Sequence, residues 1–219
     1  GPLGGALTLT AGTGATGAAS TTIKGGISSD TIAGGSLALA PGAGTAFTGG
    51  SFTLDSGEGT ATTSGSVSIR STNAGTNGAS GMLVFSSGSA SKGNSGLVMI
   101  GSGAATTGRG GSVAISVGSG NSGAGGYMSV LAGRSATHTG GALSMYSGEG
   151  TATTSGHIKI RSANAGTNGA SGSLTFSSGT TTSANSGAVL IGSGNAVGGM
   201  GGLLSLTVGT GNVGAGGDV

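Results

Sequence analysis

A glycine preceded by Gly or Ser returns at Gly35, Gly50, Gly65, Gly81, Gly96, Gly111, Gly126, Gly141, Gly156, Gly172, Gly187, Gly202 and Gly217. The steps are 15 residues, widened to 16 between Gly65 and Gly81 and between Gly156 and Gly172. This period limits the chain to architectures assembled from small, similar units. Large apolar residues occupy the second and fourth places after each of these glycines, as in Val67 and Ile69, Leu83 and Phe85, Val98 and Ile100, Ile158 and Ile160, and Val189 and Ile191. A spacing of two places both side chains on one side of an extended segment. A helix would need a period of 3.6, and none is present.

A longer period lies over the short one. The stretch Ser56-Gly57-Glu58-Gly59-Thr60-Ala61-Thr62-Thr63-Ser64-Gly65 is repeated without change from Ser147 to Gly156, 91 residues further on. Six short repeats, one of them extended, make up each long unit. The extra residue recurs at equivalent points, in Asn73-Ala74-Gly75-Thr76-Asn77-Gly78 and in Asn164-Ala165-Gly166-Thr167-Asn168-Gly169, so it belongs to the repeat itself. Residues 5–219 therefore read as a single repeat domain, a fragment of a longer array with a 91-residue super-repeat. Gly1-Pro2-Leu3-Gly4 reads as the scar of a cleaved expression tag.

The expected fold is all-β: a β-solenoid of ~15-residue one-strand repeats, or alternatively an antiparallel hairpin-based solenoid or prism. One repeat cannot bury its own apolar side, so neighbours would have to stack, each large side chain contributing roughly 1.5–3 kcal/mol when fully buried. Segments such as Ser56-Gly57-Glu58-Gly59 and Gly118-Ser119-Gly120-Asn121 read as turns, rich in residues that tolerate unusual backbone angles. On the opposite side of the segments, polar residues return about every third repeat, as at Ser66, Ser68 and Arg70 and at His157, Lys159 and Arg161.

Composition removes several function classes. Of 219 residues 55 are Gly, 5% are charged and 3% aromatic, with 2 Pro and no Cys or Trp. Collagen would need abundant Pro with Gly at every third place, and thiolate metal sites and disulfide scaffolds need Cys. A net charge of +2 gives no basic stripe for nucleic acid. No window approaches the roughly 20 apolar residues of a membrane-spanning helix, so no membrane insertion is expected.

Individual motifs are weak. Gly12-Thr13-Gly14-Ala15-Thr16-Gly17 and Gly118-Ser119-Gly120-Asn121-Ser122-Gly123 match the dinucleotide pattern in form, but no helix follows to receive a pyrophosphate. Ser89-Ala90-Ser91-Lys92 fits a serine acylase motif, yet its counterpart Thr180-Thr181-Thr182-Ser183 lacks the Lys. Asp30, Asp55, Glu58, Glu149 and Asp218 are all the carboxylates, too sparse a set for paired acid and base chemistry. His138 and His157 have no Asp, Glu or Cys near them in sequence. No cofactor, metal site or catalytic residue is expected, and the chain does not read as an enzyme. The one candidate surface-binding strip is His157, Lys159 and Arg161, directed at an anionic polysaccharide or mineral; its counterparts Ser66, Ser68 and Arg70 keep only the Arg.

The repeats S-G-E-G-T-A-T-T-S-G (Ser56–Gly65) and N-A-G-T-N-G-A-S-G (Asn73–Gly81) resemble the tandem-repeat regions of secreted adhesive proteins of marine microalgae, such as diatom trailins. Gly-rich bacterial surface adhesins are similar in style. The resemblance implies a secreted, extracellular or cell-surface protein acting in surface attachment or in matrix or biofilm formation. Its implied partners are carbohydrate or solid surfaces, or neighbouring repeats of the same protein. An ice-binding solenoid is the alternative, although Thr8, Thr10 and Thr175 are scattered and the Thr62-Thr63 and Thr153-Thr154 pairs fall in predicted turns. A β-helical polysaccharide-active enzyme is the third reading.

Overall fold

The computed structural model describes residues 5–13, 17, 19–29, 33–212 and 216–217. Two compact units divide it, Gly1–Val113 and Ala114–Val219. The tag-like residues 1–4, part of the Gly12–Gly17 motif, and Asp30 and Asp218 lie outside the described residues.

Among the described residues there is no helix and no β-strand, so the expected all-β solenoid is overturned, and its hairpin-based alternative with it. None of them is buried. The surface area makes the same point quantitatively. The chain exposes 21341 Å², where a folded monomer of 19.7 kDa would expose about 8,600 Å² and a fully unfolded one about 28,600 Å².

What the repeat does build is a series of closed loops. The N–H of the repeat glycine donates back to the carbonyl of a glycine eight or nine residues earlier: Gly35 to Gly26 (2.9 Å), Gly50 to Gly42 (2.8 Å) and Gly65 to Gly57 (2.9 Å) in the first unit. In the second, Gly126 bonds to Gly118 (3.2 Å), Gly141 to Gly133 (2.8 Å) and Gly156 to Gly148 (2.9 Å). These are the same three repeats, 91 residues apart, so the super-repeat is written into the hydrogen bonding as well as the sequence.

Within the closed loops the chain bends at residues 45–47 and 60–62 in the first unit and at 121–123, 136–138 and 151–153 in the second; it also bends at 91–93, 106–108, 182–184 and 197–199, where no closing bond forms. Where the repeat holds its extra residue the bend becomes a tight turn. Gly78 N–H reaches Gly75 O (3.3 Å) across Thr76 and Asn77, and Gly169 N–H reaches Gly166 O (3.4 Å) across Thr167 and Asn168. One added residue thus exchanges a wide bend for a four-residue β-turn. Left-handed backbone angles play little part, since among the described residues only Gly198 has positive φ, 83°.

The strands fail for a physical reason visible at the loop mouths. A ladder would continue from each closing bond into the segments on either side, but pairing stops at the glycines. Fixing one residue's backbone costs about 1–2 kcal/mol, and glycine loses the most freedom. Only burial of the apolar side would offset that cost, and here it stays half open: Leu83 is 48% exposed, Ile160 49% and Leu204 50%. The two-residue alternation survives as a difference in cover, for Met82 beside Leu83 is 87% exposed and Leu203 beside Leu204 is 88%. The sixth place after each glycine completes the apolar side. It mostly holds small residues such as Ser56, Ser87, Ser147 and Ser193, whose β-carbons lie against Gly65, Gly96, Gly156 and Gly202, and is a valine at Val117 and Val208.

Candidate functional site

His157, Lys159 and Arg161 follow directly on Gly156, whose N–H closes the loop onto Gly148 O, so the strip starts at a fixed loop mouth. All three side chains are exposed. Their alternation with the half-covered Ile158 and Ile160 sets them on the more open side of the segment. No hydrogen bond or ion pair holds any of them, and Glu149, exposed in the neighbouring loop, is not paired with them either. The arrangement is a row of unpaired donors and positive charge facing water. It can contact an anionic surface, but it encloses nothing.

The remaining chemistry-bearing residues are dispersed. Among the described residues no three His, Asp or Glu side chains gather into a metal site. Asp55 and Glu58 are exposed, as is Glu149. His138 is used locally: its N–H donates to Ser135 Oγ (3.0 Å), and its Nδ1 lies 2.8 Å from Thr137 Oγ1, which stabilises the bend at 136–138. Thr181 Oγ1 accepts from Ala184 N–H (3.3 Å) in the same way across the bend at 182–184. These hydroxyls serve the turns, as Ser and Thr side chains commonly do. Lys92 of the acylase-like motif sits in the bend at 91–93, away from any arranged base.

Open concavities mark the described surface, one of them lined by Arg70, Ser71, Thr72 and Asn73. A polar one of about 580 Å³ is lined by Ser178, Gly179, Thr180, Thr181, Ala184, Asn185 and Ser186, with hydroxyl and amide groups and no charge. Two apolar ones are lined by Phe85, Val98, Met99 and Ile100 and by Phe176, Val189, Leu190 and Ile191, with volumes of about 370 and 360 Å³. The second set is the first displaced by 91 residues. The repeat pattern places Phe85, Val98, Ile100, Phe176, Val189 and Ile191 on the inward side and Met99 on the outward one. Their signal was present in the repeat itself, in Met99 and Leu190, where the supposedly outward place is also apolar.

No protein-family model matches the chain, and neither does any curated protein or solved structure.

Proposed function

We propose that the chain is a structural and adhesive module of an extracellular or cell-surface protein, attaching to carbohydrate or solid surfaces through many weak, repeated contacts. The observation that carries this reading is the combination of a strict repeat with near-complete exposure: the same hydroxyl-rich loops recur every 15 or 16 residues, and none of the described residues is buried. Each loop makes at most a few hydrogen bonds with a surface. Linked in one chain, they act together, because after the first contact the rest are intramolecular. The sparse carboxylates favour this reading over an enzymatic one, and those described, Asp55, Glu58 and Glu149, are exposed. An ice-binding face lacks its platform, because ranked threonines require a regular strand face.

The test is adsorption on silica, cellulose and a methyl-terminated layer in a quartz-crystal microbalance, against a scrambled chain of identical composition. Retention on silica or cellulose through buffer washing, at least ten-fold above the scrambled chain, supports the proposal. Equal retention of the two chains removes it, because composition alone would then account for the binding.

A further inference from the structure

We infer that the apolar segments following the repeat glycines are docking surfaces for a second copy of this chain, and that copies associate side by side with their 91-residue units in register. The inference is independent of adhesion and rests on four observations.

The first is area. The chain exposes 21341 Å², roughly 12,700 Å² more than a folded monomer of its mass, whereas a stable interface takes about 800 Å² from each partner. A small share of the excess is sufficient.

The second is pattern. Val98 and Ile100 lie on one side of their segment, as do Val189 and Ile191 on theirs, and they remain 50–73% exposed. Each pair lines an apolar concavity with the phenylalanine of the preceding repeat, Phe85 or Phe176. The two concavities lie 91 residues apart in sequence, and another copy carries apolar pairs with the same offset in sequence.

The third is the backbone. Residues 97–101 and 188–192 make no backbone–backbone hydrogen bond, so both edges of each segment are available to another chain. The fourth is charge. Seven Lys and Arg against five Asp and Glu in 219 residues leave little repulsion between copies.

Register follows from the extra residue. Sliding one copy by a single repeat matches 15-residue steps everywhere except at the two 16-residue steps, and a one-residue mismatch turns the apolar side outward. A shift of zero or 91 residues avoids that mismatch. Because a 91-residue shift leaves free ends on both copies, association is open-ended and does not stop at a pair.

The experiment is sedimentation velocity across a concentration series, read together with the infrared amide I band. The full chain is expected to sediment as a monomer without a β signature when dilute. On concentration it is expected to form larger species in which that signature appears. In a variant carrying Val98→Lys, Ile100→Lys, Val189→Lys and Ile191→Lys, the concentration for half association should rise at least ten-fold. Substituting Ser112→Lys, Ser116→Lys, Ser173→Lys and Thr175→Lys instead, which adds the same charge on the opposite side of neighbouring segments, should raise it less than three-fold. A monomer at every concentration overturns the inference. So does a β signature independent of concentration, or an equal response to both sets of substitutions.

Discussion

Gly126 lies so close to Val117 that a β-carbon on it would stand 2.5 Å from Val117 Cγ1. The pair recurs as Val208 and Gly217, and Val117 and Val208 are, at 45% and 40%, the least exposed large apolar residues described. Among the large apolar residues described, cover is greatest where a repeat glycine admits a neighbouring side chain.

Gly126→Ala should therefore displace Val117 and break the bond from Gly126 N–H to Gly118 O. A net bond of about 0.5–1.5 kcal/mol corresponds to roughly 2–10-fold slower amide exchange. Exchange at residue 126, measured by NMR, should rise by that factor in Gly126→Ala and recover in Gly126→Ala/Val117→Ala. Failure of the second change to restore protection would mean that the contact does not control the bond.

A β-carbon on Gly150 would stand 2.5 Å from Thr154 O, while one on Gly148 meets nothing within 4 Å. Gly150→Ala is expected to open the loop and speed exchange at Gly156 N–H several-fold, and Gly148→Ala to leave it within a factor of two. Comparable effects of the two substitutions would contradict the loop geometry.

Ile160→Asp separates this structure from a stacked solenoid. In a solenoid it would bury a charge and unfold several repeats. Here Ile160 is half exposed, and the far-ultraviolet circular dichroism of the dilute variant should match that of the parent and of Lys159→Ala. A large change confined to Ile160→Asp would restore a buried apolar side.

Charge at the strip is tested by making it resemble its counterpart, with His157→Ser and Lys159→Ser beside the retained Arg161. A basic residue at an anionic surface contributes roughly 1 kcal/mol, about five-fold in binding. Loss of Lys159 should therefore weaken retention on silica about five-fold at low salt, with the difference shrinking as added salt shortens the screening length. Retention that is unchanged at low salt would assign the contact to the loops alone.

Much of the local organisation was legible in the sequence. The 15-residue step, its 16-residue exception at Asn73–Gly78 and Asn164–Gly169, and the alternation of Met82 with Leu83 all have counterparts in bends, turns and degrees of exposure. These features depend on residues close together in the chain, where steric and hydrogen-bonding preferences act without help from distant segments.

The sequence by itself determined the spacing of the repeats and which residues share a side; it set turns at Ser56–Gly59 and Gly118–Asn121, whereas the chain bends a few residues later, at 60–62 and 121–123. Only the tertiary structure decided whether those sides meet. Pairing Leu83 with the segments on either side requires burial in excess of the ordering entropy of a glycine-rich backbone. In this chain the closing bond forms at the glycines and stops there, leaving the apolar sides half covered and the strip His157, Lys159 and Arg161 open to water.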